Sequence, residues 1–233
     1  MASFPSQWSQ LPPSPLIIYD HPIVMLGGGA FDARLYQEMA AGLPVIAADS
    51  GGDHAYRQGI QPDWVIGDMD SISPTARSAA AQHLTISDQF STDFEKLLAS
   101  VHAPQVLAFG FLGQRMDHSL ASLHALANAR ADMMMVLLDR HDAVVFCRGD
   151  FSADLPAGAR VSIWPLRRQD FIASQGLVWP LDRLSLEPGG VLGTSNQVAS
   201  EGHDQDVTVT IKSGEGDGFF VLTESHLAKR LMA

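Results

Sequence analysis

Val65-Ile66-Gly67-Asp68-Met69-Asp70-Ser71-Ile72 is a short apolar run that breaks at a glycine and then presents two carboxylates separated by one residue. The apolar run predicts a buried strand, so Asp68 and Asp70 are expected where that strand ends. Both carboxylates can reach one hard cation through oxygen ligands. Taken alone, the same pattern also fits a solvated turn or a helix N-cap. These residues by themselves leave both interpretations open.

Apolar runs alternate with helical patterns on both sides of this stretch. Strands are predicted at 23–26, 44–48, 63–66, 84–86, 106–109 and 133–138. Helices are predicted between them, at 31–42, 54–58, 74–83 and 93–101, with a last one carrying Leu120, Leu123 and Ala127. Alternation of this kind implies right-handed crossovers and a mostly parallel sheet covered on both faces. We therefore predict an α/β N-terminal domain over residues 16–141.

The pattern changes after about residue 139. Short apolar runs separated by Gly, Pro and Asp follow, at 144–147, 160–164, 176–179, 207–211 and 218–222. The run 207–211 alternates with a period of two, which is typical of a half-buried antiparallel strand. Helical periodicity is absent from this region. We predict a second, all-β domain over residues 142–233, built as a sandwich.

Composition limits the classes of partner. The chain has 233 residues, 46% of them hydrophobic, and a formal net charge of -11. With no cluster of Lys or Arg, a nucleic-acid partner is not expected. The single cysteine, Cys147, cannot form an internal disulfide, and the stretch 1–15 resembles neither a signal peptide nor a membrane span. We expect a cytoplasmic protein with no membrane partner.

The unusual loops of the N-terminal half all follow predicted strands. Ligands bind beyond the carboxyl ends of strands in open parallel sheets, so these loops are expected to meet at one edge. Asp93 begins a helix, but Thr92 already fills the N-cap position and has capping-box spacing to Glu95. Asp93 is therefore free to act as a third carboxylate beside Asp68 and Asp70, a set that suits Mg²⁺.

Other candidates in this half carry weaker signals. Gly27-Gly28-Gly29 before a helix could cradle phosphate through backbone donors, although it lacks the spacing of a dinucleotide fingerprint. Arg115 could clamp phosphate with two hydrogen bonds, or it could be an ordinary surface charge. Asp117 and His118 could be no more than a helix N-cap and a surface histidine.

The β domain has two places worth naming. Trp179 could be a buried core aromatic, or it could stack on a flat, cationic heterocycle. Thr194-Ser195-Asn196 could be only a turn, or its hydroxyls and amide could bind a polar ring. Neither place is decided by local sequence.

Taken together and in order, these motifs resemble the thiamine pyrophosphokinase family. The resemblance runs from about residue 24 to residue 222. It rests on Ala48-Asp49-Ser50-Gly51-Gly52, the segment 62–72, Ser91-Thr92-Asp93-Phe94-Glu95-Lys96, Gly113-Gln114-Arg115-Met116-Asp117-His118, the Trp179 segment and Thr194-Ser195-Asn196. It implies an α/β catalytic domain that binds ATP and Mg²⁺, and a β-sandwich that binds thiamine and dimerises. It also implies a homodimer whose thiamine sites lie between subunits.

The resemblance implies a reaction and a role for each matching residue. The primary hydroxyl of thiamine attacks the β-phosphorus of ATP, and AMP leaves. Asp68, Asp70 and Asp93 map onto the magnesium ligands, and Arg115 would hold phosphate. The nucleotide side would be lined by Gly28, Asp49, Gly51 and Gly52. Four more residues fall in matching motifs, although the resemblance does not distinguish their individual roles: Asp88, Gln89, Lys96 and Asp117. Thiamine would be contacted by Trp179, Ser195 and Asn196.

Two loops depart from the family pattern. The family usually has Asp-Gly-Gly-Ala-Asn where this chain has Asp49-Ser50-Gly51-Gly52-Asp53, and usually a glycine where Gln114 stands. Two other functions fit the same carboxylates. One is a magnesium-dependent phosphohydrolase acting on a nucleotide, and the other is a thiamine or nucleotide sensor that binds without turnover.

Overall fold

A computed structural model describes residues 11–200 and 205–232 of the chain. The chain divides into two compact units, one ending at Arg140 and the other beginning at His141. Most of the predicted lead-in, 1–15, lies outside the described residues. No helix within the described ranges is long and apolar enough to cross a membrane.

The first unit alternates strands with helices. Its strands are β1 (Ile17–Ile18), β2 (Ile23–Leu26), β3 (Val45–Ala48), β4 (Trp64–Gly67), β5 (Gln82–Thr85), β6 (Val101–His102), β7 (Gln105–Phe109) and β8 (Met134–Leu138). Its helices are α1 (Ala33–Ala40), α2 (Gly51–Arg57), α3 (Pro74–Ala79), α4 (Asp93–Ser100) and α5 (Met116–Asn128).

Six strands of this unit run in the order β8-β7-β2-β3-β4-β5, and every pairing in that series is parallel. All four residues of the central strand β2 are fully buried, as expected for a parallel sheet covered on both faces. The chain leaves β2 toward β3 but leaves β7 toward β8. The carboxyl ends of β2 and β7 therefore form a topological switch point, where α/β sheets bind ligands.

Two helix starts follow the predicted chemistry, whereas the N-cap of α5 is Arg115 and not Asp117, which lies in the first turn. Ser73 caps α3 by accepting from the Ala76 backbone N–H, and Pro74 is the first helical residue. Thr92 caps α4 in a complete capping box with Glu95. The prediction that α3 continues to residue 83 is wrong, because Ala80 is extended and Gln82 begins the edge strand β5 by pairing with Trp64.

The second unit is mainly antiparallel β-structure. Its strands are β9 (Asp142–Cys147), β10 (Phe151–Pro156), β11 (Arg160–Pro165), β12 (Gln169–Gln175), β13 (Ser185–Leu186), β14 (Gly193–Gln197), β15 (Asp206–Gly216) and β16 (Phe219–Glu224). One series runs β14-β11-β16-β9 and a separate sheet runs β10-β15-β12-β13. The rings of Phe171 on β12 and Phe219 on β16 join the two series, with centroids 5.1 Å apart. A 3₁₀ helix, Ser225–Met232, follows the last strand.

The predicted strand at 176–179 is wrong. Gly176 has a φ of +76°, and of the four residues only Leu177 forms a β-bridge, to Val198. The backbone of Trp179 is hydrogen-bonded to the side chain of Asn196 instead of to a strand. The apolar run is thus an irregular segment rather than a strand, held by the Asn196 side chain and by two backbone hydrogen bonds, from the Val178 N–H to Gln197 O and from the Ala199 N–H to Gly176 O.

Candidate active site

A cavity of about 490 Å³ opens in the first unit at the carboxyl ends of its parallel strands. The loops after β2, β3, β4 and β7 and the segment before α4 contribute to its wall, as the sequence predicts. Of the predicted residues, those that line it are Gly28, Asp68, Asp70, Asp88, Gln89, Asp93, Lys96 and Arg115.

The glycine turn after β2 lies against the end of β7. The backbone N–H of Gly27 donates to Phe109 O at 2.8 Å, and that of Gly29 donates to Gly110 O at 2.7 Å. A Cβ added to Gly27 would lie 2.5 Å from Gly110 O, so only glycine permits this approach. The N–H of Gly28, between these two, has no hydrogen-bond partner within residues 11–200 and 205–232. It is left as a donor at the cavity wall.

Three carboxylates gather at the ends of β3 and β4. Asp49, Asp68 and Asp70 each present an oxygen within 4.8 Å of the others. Gly67 lets the Asp49 side chain come close to the end of β4, because a Cβ on Gly67 would lie 2.8 Å from the Asp49 Cβ. Met69, between the two aspartates of the motif, has a left-handed φ of 67° that few non-glycine residues adopt. Backbone strain of this kind concentrates at functional sites.

Asp49 is the buried member of this cluster. Its side chain is fully buried; Oδ2 accepts from the Ser71 N–H at 3.0 Å, whereas Oδ1 has no partner among the described residues. Burial, reinforced by the charges of Asp93 and Asp68, raises the pKa of Asp49 to about 6. An unpartnered buried carboxylate is costly unless something neutralises it. An all-oxygen set with one such member fits a hard divalent cation.

Lys96 lies between Asp93 and Asp68 and contacts both carboxylates. The Lys96 side chain is 3% exposed, with Nζ 3.1 Å from Asp93 Oδ1 and 3.4 Å from Asp68 Oδ2. Burial alone would lower the pKa of Lys96, but its hydrogen bonds and charge interactions with both aspartates raise it. Burial would likewise raise the pKa of Asp68, yet the Asp70 N–H, Lys96 and Gln89 lower it. Within the described ranges, Asp49 rather than Asp93 completes the close cluster with Asp68 and Asp70, and Asp93 as a third metal ligand stays a prediction.

The residues around this cluster are ordered by short contacts. Gln89 Nε2 donates to Asp68 Oδ2 at 3.1 Å, and Asp88 is buried beside it at the cavity wall. Arg115 pairs with Asp117 through two hydrogen bonds, of 3.1 Å from Nε and 2.5 Å from Nη2. The Arg115 side chain is 65% exposed and borders the cavity. Asp117 is therefore placed to orient Arg115, and it does not line the cavity itself.

Two of the predicted nucleotide-side residues serve packing in this structure. A Cβ on Gly51 would lie 2.0 Å from Leu26 O, and one on Gly52 would lie 2.6 Å from the Ile72 Cδ1. Both glycines are buried and outside the cavity wall, where they let α2 approach the sheet. Ser50, Phe111 and His118 are among the cavity-lining residues that sequence reasoning did not select. The sequence gives one indication for Ser50, because residue 50 departs from the family pattern.

The second unit presents its candidate residues as one local group. Trp179 is 58% exposed, so the buried-aromatic interpretation is wrong. Asn196 is buried and hydrogen-bonds the Trp179 backbone. Ser195 lies on β14 with a left-handed φ of 59°, and its N–H donates to Ser162 Oγ at 2.9 Å. The segment 194–196 is thus strand rather than turn.

Family profiles match both units. A profile described as the catalytic domain of thiamin pyrophosphokinase matches residues 36–138. A second, described as the vitamin B1 binding domain of thiamin pyrophosphokinase, matches residues 151–215. Together they cover more than half of the chain.

Individual relatives agree with these profiles. Thiamine pyrophosphokinase 3 of Oryza sativa subsp. japonica is 28% identical over 199 residues, covering 74% of this chain and 70% of the relative. Thiamin pyrophosphokinase 1 of Caenorhabditis elegans is 26% identical over 154 residues, covering 60% of this chain and 63% of the relative. The chain thus spans somewhat less than two thirds of the nematode protein's length.

Solved structures share the fold. Thiamin pyrophosphokinase from Candida albicans superposes with a TM-score of 0.74 at 15% identity, over 92% of this chain and 94% of that one. Thiamine pyrophosphokinase from Bacillus subtilis gives a TM-score of 0.69 at 20% identity, over 88% of this chain and 98% of that one. At these identities the likeness concerns fold alone. With both profiles matched in sequence order, the chain belongs to the thiamine pyrophosphokinase family.

Proposed function

We propose that this chain transfers the pyrophosphoryl group of ATP to the primary hydroxyl of thiamine, giving thiamine diphosphate and AMP. The hydroxyl oxygen forms a bond to the β-phosphorus, the bond from that phosphorus to the α,β-bridging oxygen breaks, and that oxygen leaves on AMP. The hydroxyl proton passes to solvent. The observation that carries the proposal is an acidic cavity at the switch point of a chain that matches both domains of the family.

The metal side of the site is proposed to hold Mg²⁺. Asp68 and Asp70 would be its ligands, with Asp49 or Asp93 as the third carboxylate; the unpartnered Oδ1 of Asp49 supports the former. When bound, the ion would neutralise triphosphate charge that the acidic cavity could not otherwise tolerate. Gln89 and Lys96 would hold Asp68 in place through the contacts they already make.

The remaining cavity residues would position the triphosphate. Arg115 carries a guanidinium suited to two-point phosphate binding, and Asp117 orients it before the nucleotide arrives. The Gly28 N–H supplies a neutral donor on the other side. Transfers of this kind depend mainly on positioning and electrostatics, so no strong general base is required.

Thiamine is proposed to bind through the second unit. The exposed ring of Trp179 offers a flat apolar face for a cationic heterocycle, while Ser195 presents an exposed hydroxyl nearby on β14. Within this unit, we propose that the two series of strands pack as a sandwich through contacts such as that of Phe171 with Phe219. We further propose that the chain forms a homodimer, as the resemblance implies. Light scattering tests the dimer: a fully active monomer at all concentrations would exclude it.

A coupled assay tests the reaction. The protein is incubated with ATP and Mg²⁺, with and without thiamine, and AMP and pyrophosphate are measured. AMP that forms only with thiamine, without free pyrophosphate, supports transfer. AMP or phosphate released equally without thiamine would indicate a phosphohydrolase, and binding without turnover would indicate a sensor.

Asp70→Asn tests the metal assignment. This substitution removes a charge from an exposed side chain in the acidic cluster, so the fold should survive while activity falls by about 100-fold or more. An unaltered rate would count against the assignment.

We also propose that the protein acts in the cytoplasm, which is consistent with its single cysteine. Cell fractionation that finds the tagged protein elsewhere would contradict this.

A further inference from the structure

Ser50 and Gly28 lie in direct contact at the wall of the switch-point cavity. A Cβ added to Gly28 would lie 1.9 Å from Ser50 Oγ and 2.9 Å from Ser50 Cβ, and the next nearest heavy atom is 3.7 Å away. The hydroxymethyl group of Ser50 therefore covers the Cα of Gly28 almost alone. Both residues line the cavity that also contains Asp68 and Asp70.

Neither residue has a partner for its donor group. Ser50 stands at the N-cap position of α2 but makes no side-chain capping bond, and its Oγ has no hydrogen-bond partner in the part of the chain that the structure describes. The Gly28 N–H is similarly unbonded within those residues. Two neutral donors thus stand beside one another at the wall of a cavity that also contains four carboxylates.

His54 fixes the geometry of this pair. It lies four residues after Ser50 on α2, and residues so spaced share a face of a helix. Its Nε2 is 3.2 Å from Gly28 O, so the same helical face contacts Gly28 at its carbonyl and at its Cα. The Gly28 peptide is consequently held at two points.

We propose that Ser50 is a further nucleotide-binding residue, whose hydroxyl donates with the Gly28 N–H to a phosphate oxygen of the nucleoside triphosphate. The inference rests on the proposed function for the identity of the ligand. The Ser50 hydroxyl adds a contact that a glycine at this position could not make. Anionic ligands suit such sites because backbone and hydroxyl donors neutralise them without adding charge.

The hydroxyl is tested by Ser50→Ala and Ser50→Gly. Calorimetry measures binding of a non-hydrolysable ATP analogue with Mg²⁺, and steady-state assays give KM for ATP and kcat. Loss of one neutral hydrogen bond should raise Kd and KM about 3- to 10-fold with kcat nearly unchanged. Ser78→Ala is the matched control, since its exposed hydroxyl donates to Pro74 O within α3. A Kd for Ser50→Ala equal to that of the wild type would overturn the proposal.

The pairing with Gly28 is tested separately. Gly28→Ala should clash with Ser50 and weaken analogue binding by at least about 10-fold, whereas Gly28→Ala/Ser50→Gly removes the clashing atoms and should return to the Ser50→Gly value. Absence of rescue in a double variant that folds, by circular dichroism, would overturn the geometry. Analogue binding is measured without thiamine, so a wild type that binds through Ser50 but makes no thiamine-dependent AMP would refute the proposed reaction and not this inference.

Discussion

Asn196 holds the backbone of Trp179 at both of its polar groups. Asn196 Oδ1 accepts from the Trp179 N–H at 3.1 Å, and Asn196 Nδ2 donates to Trp179 O at 2.7 Å. The same Oδ1 also accepts from the Gln197 N–H at 2.8 Å. Asn196 is 4% exposed and Trp179 is 58% exposed. The amide thus fixes the backbone that presents an exposed aromatic ring, and the direct contact of Asn196 with thiamine stays a prediction.

Replacing Asn196 should affect thiamine and spare ATP. Asn196→Ala leaves two polar groups of the Trp179 backbone without partners, so the ring loses its fixed position. We expect KM for thiamine to rise about 10-fold or more while the Kd of the ATP analogue is unchanged. Asn196→Asp keeps the acceptor and loses the donor, and its effect should be intermediate.

Gln197→Ala is the control for that experiment, because the exposed Gln197 side chain donates to Gly158 O and does not contact Trp179. Equal thiamine KM values for Asn196→Ala and wild type would show that the Trp179 position does not depend on the amide.

Substitution of Trp179 itself tests the stacking surface. Trp179→Phe keeps an aromatic face and should raise the thiamine KM only a few-fold, whereas Trp179→Ala should raise it about 10-fold or more. Ile172→Ala removes an equally exposed apolar side chain from β12 and should change the KM of neither substrate. If Trp179→Ala bound thiamine normally in calorimetry, thiamine would have to bind elsewhere.

Sequence patterns located the inner strands of the parallel sheet well because those strands are buried on both faces, unlike the exposed edge strand β5. The fully buried residues of β2 form an uninterrupted apolar run, and helix caps such as Thr92 and Ser73 depend on residues close in sequence. Local chemistry is sufficient for features of this kind.

The antiparallel unit was harder to predict because its strands pair over long sequence distances. β10 pairs with β15, where Phe151 faces Ile211, and β12 is largely polar. An apolar run such as 176–179 then offers no local signal that Asn196 will replace a strand partner. Register set by distant residues is not readable from a short window.

In the candidate site too, some features follow from local sequence and others depend on residues distant in the chain. The carboxylates of Asp68 and Asp70 were predictable from one motif. Contact between Ser50 and Gly28 was not, since it depends on how α2 packs beside the switch point. Grouping Asp49 with the motif required knowledge that β3 and β4 are neighbours.

Lys96 should couple stability to magnesium. Its buried ammonium neutralises Asp68 and Asp93, so Lys96→Met leaves these carboxylates uncompensated and should lower the melting temperature in EDTA. Added Mg²⁺ should restore part of that loss, making the variant more magnesium-dependent in thermal unfolding than the wild type. Lys96→Arg keeps the charge and should behave more like the wild type. A melting temperature of Lys96→Met that responds to Mg²⁺ no more than that of the wild type would contradict this role.

Asp49 should make the metal-free protein less stable as pH rises. Its pKa is raised from 3.8 to about 6 in the folded state, because burial disfavours the charged form and Asp93 and Asp68 add repulsion. A raised carboxyl pKa means that the folded state binds the proton more tightly. The associated stability is fully present below about pH 4 and is lost as pH rises to about 6.

Asp49→Asn isolates this effect, because the amide is neutral at every pH and nearly the same size. Without metal, the variant should gain about 1–3 kcal/mol of unfolding free energy over wild type at pH 7.5, and the gain should vanish near pH 4. Mn²⁺ affinity should fall in the same variant, since a carboxylate of the cluster is gone. Asp63→Asn is the control: its carboxylate accepts from the Val45 N–H outside the cluster. A pH-independent difference between Asp49→Asn and wild type would show that folding does not raise the pKa of Asp49, and an unchanged Mn²⁺ affinity would exclude Asp49 as a metal ligand.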